Sequence, residues 1–366
     1  MLLEHLSLTD VRNYAALEFE PVPGLNVFVG ANAQGKSNLL EAIGILGTGR
    51  SFRTARDREV VAEGASVATI AGRALTRSGT LQLGCQIVRG ASGTRKRYTV
   101  NGASVRYAGY LGRTRVVTFV PQDLELVVGS PGRRRALVNA ALAQQQPGYY
   151  AALARNATIL EQKRALLRGP AAVDRGLLDV YDEHLIETGA ELVAARRTFF
   201  VELAERAREA YDAWAADGPL EIAYAPNADL GPDGAEPRAA LAAQFAALRA
   251  AELARRTVLG GPHRDDFSVN LAGRPLAAFG SQGQQRSAVL AIKIAEYRVS
   301  SARCGEPPLL LLDDVLSELD AARQAAFLAA IAGVEQAFVT TTAAPPRIEA
   351  AATYRVERAT LERLSQ

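Results

Sequence analysis

Residues 30–37 constrain this chain more than any other stretch, because they read Gly-Ala-Asn-Ala-Gln-Gly-Lys-Ser. This is the G-x-x-x-x-G-K-S pattern of a phosphate-binding loop, or P-loop. An apolar run at 25–29 precedes the loop, and residues 38–46 have the spacing of a helix. Strand, glycine-rich loop and helix follow one another in the order that phosphate binding requires. The chain is therefore expected to bind a nucleoside triphosphate.

Each part of this loop has a predicted role. The glycines allow a tight turn whose N–H groups point at phosphate oxygens, and the helix N-terminus adds a partial positive charge. Lys36 is predicted to reach the β- and γ-phosphates, and Ser37 to give its hydroxyl to Mg²⁺. The predicted nucleotide-binding residues are Gly30, Ala31, Asn32, Ala33, Gln34, Gly35, Lys36, Ser37 and Asn38.

Composition sets limits on the other function classes. The chain has 366 residues, which predicts two or three structural units. A net charge of +3 does not by itself predict nucleic-acid binding, so any such surface would be a local patch. Cys85 and Cys304 form no metal or disulfide pattern. No signal peptide and no apolar run of membrane-spanning length is present, so we expect a cytoplasmic protein without a membrane partner.

A second acidic motif lies near the end of the sequence. Four leucines at 309–312 are followed by Asp313 and Asp314, which predicts a central parallel strand with acids at its carboxyl end. This is the Walker B pattern, in which one carboxylate holds Mg²⁺. We expect Asp313 to take that role and Asp314 to act as general base or to orient the attacking water.

The segment Ser281, Gln282, Gly283, Gln284 and Gln285 forms a second candidate anion site at the start of a helix predicted over 287–300. It does not suit the nucleotide of the P-loop, whose phosphate site is already complete. It suits the γ-phosphate held by a second subunit. Two copies in a head-to-tail pair would then enclose two nucleotides across a two-fold axis.

The rest of the chain divides by composition. Residues 2–8 and 16–20 predict a hairpin with Arg12 in its turn, where it either folds over the nucleotide or is solvated. Short strands recur over 68–101 and carry Arg95, Lys96 and Arg97, which form either a solvated strand face or a DNA contact.

The middle of the chain is rich in Ala, Leu, Arg and Glu with helical spacing. Residues 174–214 predict one long helix or two in sequence, and 239–256 predict another helix. We predict a head built from 1–128 plus 256–366 and a helical arm over 129–255. A hairpin is expected over 267–277, and residues 335–341 are expected to form the final buried strand. The run Arg133–Arg135 opens a helix, an unfavourable place for positive charge, which points to an anionic or acidic partner or to a solvated helix start.

These motifs together resemble the ABC-type ATPase heads of the SMC/Rad50 group, and most closely the RecF family. The resemblance covers essentially the whole chain. It is carried by V-R-N-Y at 11–14, N-A-Q-G-K-S-N-L-L-E-A-I at 32–43, F-V-P-Q-D-L at 119–124, G-S-P-G-R-R-R at 129–135, G-P-H-R-D-D-F at 261–267 and S-Q-G-Q-Q-R at 281–286. It implies an α/β fold, a P-loop ABC-type head with an inserted, mainly α-helical arm.

The resemblance also implies roles for individual residues. Gln122 would join Ser37 and Asp313 around Mg²⁺, and Asp314, Lys36 and Gln122 would be catalytic. Ser281, Gln282, Gly283 and Gln284 would form a signature loop acting across a dimer, and Asp320 would be the acid of the D-loop. Arg12 would contact ATP. A His often follows the last strand in transporters, but here that switch position falls among Thr340, Thr341 and Thr342.

By the same resemblance, the function is a homodimer that ATP closes on DNA and that slow, DNA-stimulated hydrolysis reopens. The implied cofactors are ATP and Mg²⁺. The implied partners are single-stranded, gapped or junction DNA and RecR, with RecO and RecA reached indirectly during recombinational repair of replication gaps.

Three other functions fit the P-loop less well. A transporter ATPase subunit is disfavoured by the V-R-N-Y hairpin, the arm and the threonine-rich switch. A complete SMC or Rad50 protein is disfavoured because 131–255 is too short and lacks sustained heptads. A nuclease of the OLD type needs an acidic metal-binding domain after the ATPase, and none is expected after the strand at 335–341.

Overall fold

The computed structural model describes residues 1–91, 93–170, 172–215, 217–231, 234–342 and 350–364, with Glu318 described by its backbone alone. Two six-stranded sheets and one three-stranded sheet are formed by these residues. The first sheet is antiparallel, in the order β2-β1-β4-β5-β6-β7. Its strands are β1 (Leu2–Val11), β2 (Tyr14–Phe19), β4 (Val67–Thr76), β5 (Gly79–Gly90), β6 (Gly93–Val100) and β7 (Ala103–Val105).

The second sheet carries the P-loop strand at its centre, in the order β15-β14-β3-β13-β12-β8. All neighbours in it are parallel except β14 and β15. Its strands are β3 (Gly24–Val29), β8 (Val116–Phe119), β12 (Leu309–Asp313), β13 (Gln336–Thr341), β14 (Ala352–Glu357) and β15 (Thr360–Leu364). Every residue of β12 is buried, as expected of a central strand in a parallel sheet.

Helix α1 (Lys36–Thr48) packs between these two sheets and contacts both. Leu39, Leu40, Ile43 and Ile45 are fully buried and join apolar side chains of both sheets in one core. A helix whose apolar residues are buried on opposite sides needs such a two-sided environment. The apolar residues of 38–46 therefore account for the position of α1 between the two sheets.

The remaining helices lie mainly on the other face of the parallel sheet and in the predicted arm. They are α2 (Tyr107–Tyr110), α3 (Glu125–Val128), α4 (Pro131–Gln145), α5 (Pro147–Arg168), α6 (Arg175–Asp212), α7 (Pro237–Arg255), α8 (Leu276–Phe279), α9 (Gln282–Cys304) and α10 (Ala321–Ile331). The segment 174–214, expected to form one helix or two, forms the single helix α6 of 38 residues, and α5 and α7 pack against it. Asp174 caps its N-terminus by accepting from the N–H of Leu177 at 3.1 Å.

The third sheet joins the predicted arm to the predicted head. Strand β9 (Leu220–Ala225) pairs with β10 (Asp266–Leu271), which also pairs with β11 (Arg274–Pro275). The expected hairpin at 267–277 is therefore shorter than predicted, because α8 begins at Leu276. The head and the arm share this sheet across the proposed boundary at residue 256.

Two other predicted boundaries are wrong. The strand at 335–341 is not the last, because β14 and β15 follow and β14 adds a parallel neighbour to β3. The helix expected from 287 begins at Gln282, so the second candidate anion segment lies in its first turn.

Candidate functional site

The P-loop turns between β3 and α1 as the motif requires. Gly35 has φ +119°, and a Cβ there would stand 2.9 Å from the Tyr14 hydroxyl, so no larger residue fits. Gly30 is equally confined, since a Cβ would stand 2.3 Å from the Val356 carbonyl oxygen. Helix α1 has no side-chain cap and no acidic residue in its first turn. Its first N–H groups and its dipole therefore face an anion site without competition.

Lys36 lies along this loop with its ammonium directed at loop carbonyls. Nζ donates to the carbonyl oxygens of Gly30 at 2.6 Å and Ala31 at 2.8 Å. Burial lowers the pKa of Lys36, and the carboxylates of Asp314 and Asp313 oppose that effect. The ammonium is thus placed between phosphate-binding backbone and the two acids of the Walker B strand.

The hydroxyls of Ser37 and Thr340 both converge on Asp313. Ser37 Oγ donates to Asp313 Oδ1 at 2.7 Å, and Thr340 Oγ1 donates to the same oxygen at 2.8 Å. Strands β3, β13 and β12 are consecutive in the sheet, so their carboxyl ends bring these three residues to one edge. The predicted convergence of Ser37 and Asp313 is therefore observed, and Thr340 is the switch-region threonine that joins them.

Asp314 adopts an unusual backbone conformation next to this group. Its φ is +52°, in the left-handed region that non-glycine residues rarely occupy. Its N–H donates to Thr340 Oγ1 at 2.9 Å, which holds the turn in place. One carboxylate oxygen, Oδ1, is buried and accepts no hydrogen bond from the described residues. Strain together with an unpaired buried acceptor makes Asp314 a candidate functional residue.

An open pocket collects most of these groups. It is lined by Asn32, Ala33, Gly35, Lys36, Ser37, Asn38, Arg53, Asp314 and Thr340. Free N–H groups, one ammonium and a guanidinium suit a polyphosphate. The Ser37 hydroxyl, the Asp314 carboxylate and the Asp313 carboxylate that accepts from Ser37 are ligands that Mg²⁺ prefers. The unpaired Oδ1 of Asp314 fits an acceptor meant for a water or a hydrated ion. The residues present therefore fit ATP with Mg²⁺.

The turn of the first hairpin braces α1. Arg12 makes two hydrogen bonds to Glu41, at 2.8 and 2.7 Å, and Glu41 is only 1% exposed. Asn13 Oδ1 accepts from Asn38 Nδ2 at 2.7 Å, and the Tyr14 hydroxyl donates to the Gly35 carbonyl at 3.1 Å. Arg12 does not line the pocket, so its predicted contact with ATP stays a prediction while its bond to Glu41 is observed.

Arg53 is a pocket residue that sequence reasoning missed. It follows α1 in the loop that also carries Ser51, and both side chains hydrogen-bond to Glu41. Arg53 also donates to Asn38 Oδ1, which directs its guanidinium into the pocket. The signal available in the sequence was the arginine-rich character of 50–56 directly after the P-loop helix.

Gln122 lies apart from this pocket. It is exposed in a short 3₁₀ turn, Pro121–Leu124, that follows β8, and it does not line the pocket. Its proposed place near Mg²⁺ stays a prediction. The next residue, Asp123, is held by the Val120 N–H at 2.9 Å, and its carboxylate acts electrostatically on buried Lys293 of α9.

A larger cavity, of about 660 Å³, borders this turn and the buried pair Lys293 and Glu296. It is lined mainly by apolar and aromatic side chains behind α1, and none of the P-loop or Walker B side chains described above reaches it. We therefore assign the phosphate chemistry to the smaller pocket.

The signature residues lie at the exposed N-terminus of α9. Ser281 Oγ accepts from the Gln284 N–H at 3.2 Å, and Gln284 Oε1 accepts from the Ser281 N–H at 2.8 Å, which is a capping box. Gln284 Nε2 donates to Asp217 at 2.8 Å. Ser281 and Gln282 are exposed, and none of Ser281, Gln282, Gly283 and Gln284 lines the pocket of the P-loop.

Asp320 caps the next helix along the chain. Its carboxylate accepts from the Arg323 N–H at 2.9 Å and pairs with the Arg323 guanidinium. That backbone hydrogen bond, followed by the guanidinium, lowers the pKa of Asp320. The predicted D-loop acid is therefore a charged N-cap at the surface.

The three predicted DNA contacts on β6 do not share one face. Arg95 and Arg97 are exposed, whereas Lys96 points the other way, pairs with Asp57 at 2.6 Å and donates to the Gly49 carbonyl at 2.9 Å. Successive residues of a strand alternate between faces. The prediction for Lys96 therefore does not fit its position, and only Arg95 and Arg97 remain available to a phosphate backbone.

The arginine run at 133–135 has partners within the chain. Arg134 makes a two-point contact with Asp266, at 2.6 and 2.9 Å, and Arg135 donates to the Asp265 carbonyl at 2.9 Å. Arg133 pairs with Glu125. These contacts tie α4 to β10 and account for positive charge at a helix start without an external partner.

Within the described ranges, no helix combines the length and apolar character needed to cross a membrane. The same ranges contain no cluster of three or more His, Cys, Asp or Glu side chains suited to a metal ion. Any magnesium site here therefore rests on the mixed set of one hydroxyl and Walker B carboxylates.

Residues 2–363 match the family described as the RecF/RecN/SMC N terminal domain. A protein of Symbiobacterium thermophilum named "DNA replication and repair protein RecF" is 43% identical over 348 residues, which make up 93% of this chain and 92% of that protein. A structure described as "recombination mediator protein RecF-ATP in RecFOR pathway" superposes with a TM-score of 0.89 at 29% identity, covering 99% of this chain and 97% of that chain.

An SMC head bound to the C-winged helix domain of ScpA superposes with a TM-score of 0.60, covering 100% of this chain and 98% of that chain. At 16% identity this likeness shows the fold alone. The predicted ABC-type head fold and the predicted family are both confirmed, and the chain belongs to the RecF family.

Proposed function

We propose that this chain is an ATP-dependent switch in DNA repair. Two copies bind ATP and Mg²⁺, close head to tail on DNA, and reopen after slow hydrolysis. The observation that supports this proposal is that the two candidate anion-binding segments lie apart in one chain. The pocket of the P-loop is lined by Lys36, Ser37 and Asp314, whereas the signature loop at Ser281 is exposed outside that pocket. We infer that this loop meets a phosphate held by another copy.

The roles within the site follow from the contacts. The P-loop backbone and Lys36 would hold the phosphates, and Ser37, Asp313 and Gln122 would hold Mg²⁺. Bound Mg²⁺ neutralises developing charge on the phosphates. Through its unpaired oxygen, Asp314 either orients the attacking water or accepts a proton from it. Because Asp is shorter than the Glu usual at this place, we expect slow turnover and a switch rather than a motor.

The biological setting is carried over from relatives as part of the proposal. The relatives' names point to DNA replication, repair and the RecFOR pathway. We infer a cytoplasmic protein that acts at gapped DNA with RecR, and through it with RecO and RecA. The head, 1–128 plus 256–366, would form the dimer, and the arm, 129–255, would carry other contacts.

The test is the molecular mass in solution with ATP, with ADP and without nucleotide. The Asp314→Asn variant is used to slow hydrolysis, and the series is repeated with gapped DNA. We expect a dimer only with ATP and a further increase in mass with DNA. The matched control is Ser281→Arg, which should bind ATP and remain monomeric. A monomer under every condition, or a Ser281→Arg variant that dimerises normally, would refute the head-to-tail site.

A further inference from the structure

Arg323 stands directly against the signature loop of its own chain. A Cβ placed on Gly283 would lie 2.8 Å from Arg323 Nη2, so the guanidinium occupies the space beside this glycine. Nε donates to the buried hydroxyl of Ser287 at 2.8 Å, and Nη1 pairs with Asp320. Nη2 makes no hydrogen bond to the residues that the structure describes. The side chain is therefore anchored at one end and presents spare N–H donors at Gly283.

The ion pair of Arg323 contributes too little to folding stability to explain why an arginine lies beside Gly283. Its ion pair with Asp320 joins positions i and i+3 at the surface, with side chains 34% and 49% exposed. Such exposed pairs contribute little to folding. A shorter or uncharged residue at position 323 would leave the Asp320 cap intact, because that cap uses the backbone N–H of residue 323. The geometry therefore favours a role for the free edge of the guanidinium.

The charge around the signature loop needs compensation if a phosphate is to approach. Asp320 and Asp217 both lie at this loop, and Asp217 accepts from Gln284 of the loop itself. Two carboxylates repel a triphosphate at short range, and the dipole of α9 offsets only part of that repulsion. The guanidinium of Arg323 supplies a full positive charge with the fork geometry that suits phosphate oxygens.

We propose that Arg323 acts in trans, giving its free N–H groups to the triphosphate bound in the P-loop of a second copy of this chain. This inference rests on the head-to-tail dimer proposed above and adds a residue to its composite site. Ser287 then serves as the positioning residue for Arg323, and Gly283 keeps the path between guanidinium and phosphate open.

The test is complementation between two inactive variants. Arg323→Ala alone should lower turnover on the order of a hundredfold, comparable to removing one transition-state donor. Mixed with Lys36→Ala, it should regain up to about a quarter of wild-type turnover, because at most about half of the dimers are mixed and each mixed dimer has one intact site. If Arg323 acted within its own copy, neither site of the mixed dimer would be intact and no activity would return.

A reference pair separates this inference from the proposed function. Ser281→Arg mixed with Lys36→Ala tests the trans signature alone. Rescue in both pairs supports Arg323 in trans, and rescue in the reference pair only overturns it. Failure of both pairs overturns the head-to-tail site and the role of Arg323 with it. The mixture is repeated with Arg323→Gln, which keeps an N–H donor for Ser287 but lacks the guanidinium. The same result with this variant shows that the loss of turnover does not come from misfolding.

A second measurement does not depend on turnover. In the Asp314→Asn background, Arg323→Ala should raise the dissociation constant of the ATP dimer at least tenfold by mass measurement. The matched control is Arg355→Ala, which removes another exposed ion pair, between Arg355 of β14 and Glu362 of β15. An unchanged dimer constant for Arg323→Ala would count against the proposal.

Discussion

The hydroxyl of Thr340 bridges the two acids of the Walker B strand. It donates to Asp313 Oδ1 at 2.8 Å and accepts from the Asp314 N–H at 2.9 Å. One side chain of β13 thereby positions the Asp313 carboxylate, assigned to Mg²⁺. It also holds the strained turn at Asp314, the proposed general base. Thr340 is fully buried, so water cannot substitute for it without rearrangement.

Removing this hydroxyl should impair turnover more than folding. Thr340→Val keeps the shape of the side chain but leaves the Asp314 N–H without an acceptor, which should cost about 1–3 kcal/mol of stability. We expect turnover to fall about tenfold or more and the half-saturating Mg²⁺ concentration to rise. Steady-state ATPase assays over a magnesium titration measure both quantities. Thr340→Ser, which keeps the hydroxyl, should stay close to wild type, and a normal magnesium dependence in Thr340→Val would contradict the bridge.

Lys36 should separate binding from turnover. Lys36→Ala removes the main phosphate cation and should weaken ATP binding by about tenfold to a hundredfold, as expected for a lost charged hydrogen bond. Lys36→Arg should bind ATP yet turn over poorly, because a planar guanidinium cannot replace a compact ammonium between the Gly30 and Ala31 carbonyls. Fluorescent-ATP titration and ATPase assays distinguish the two variants. Equal loss of binding in both would show that only the positive charge matters.

Arg53 should contribute to nucleotide affinity. Its guanidinium lines the pocket and is held by Asn38 and Glu41, so it is ordered before a phosphate arrives. We expect Arg53→Ala to weaken ATP binding about tenfold. The control is Arg56→Ala, three residues away, whose side chain is 71% exposed and pairs with Glu59. Equal affinity for the two variants, by equilibrium titration, would remove Arg53 from the site.

His263 should make stability depend on pH below neutrality. Burial, aided by nearby Arg164, lowers the pKa of His263 from 6.5 to about 4. The unfolded chain binds this proton first, so the stability from neutral His263 is complete above pH 6.5 and declines as pH falls towards 4. The total loss is at most roughly 3 kcal/mol. Urea unfolding between pH 7 and pH 4.5 measures it.

His263→Gln should flatten that decline, since glutamine does not titrate. The matched control is His184→Gln, at an exposed position on α6, which should leave the slope as in the wild type. Identical slopes for His263→Gln and the wild type would show that other groups cause the acid sensitivity.

The phosphate site was predictable because its parts are local and their chemistry is specific. Gly30, Gly35 and Lys36 act within one turn, and the leucines before Asp313 can only form a buried strand. Parallel strands then bring Ser37 and Asp313 to one edge, as the topology rule requires. The other motifs were assigned by resemblance to the RecF family, and the ABC-type head fold that this resemblance implied is confirmed.

Residues whose role depends on strand facing or distant partners were not predictable in this way. Lys96 lies between two exposed arginines, yet strand alternation turns it towards Asp57, which is far away in sequence. Asp266, the partner of Arg134, is distant in sequence and lies beside it because α4 packs on β10. Arg53 reaches the pocket through a loop whose path depends on the buried carboxylate of Glu41.

The position of β3 has a consequence for how this protein is made. The P-loop strand is flanked by β13 and β14, which are translated some three hundred residues after it. During synthesis the phosphate-binding segment therefore leaves the ribosome long before either flanking strand exists to hold it. ATP binding therefore cannot stabilise the partly synthesised chain. It stabilises the chain only after β13 and β14 have been made and have paired with β3. A truncated product would carry an intact P-loop sequence and still be unable to compete for ATP.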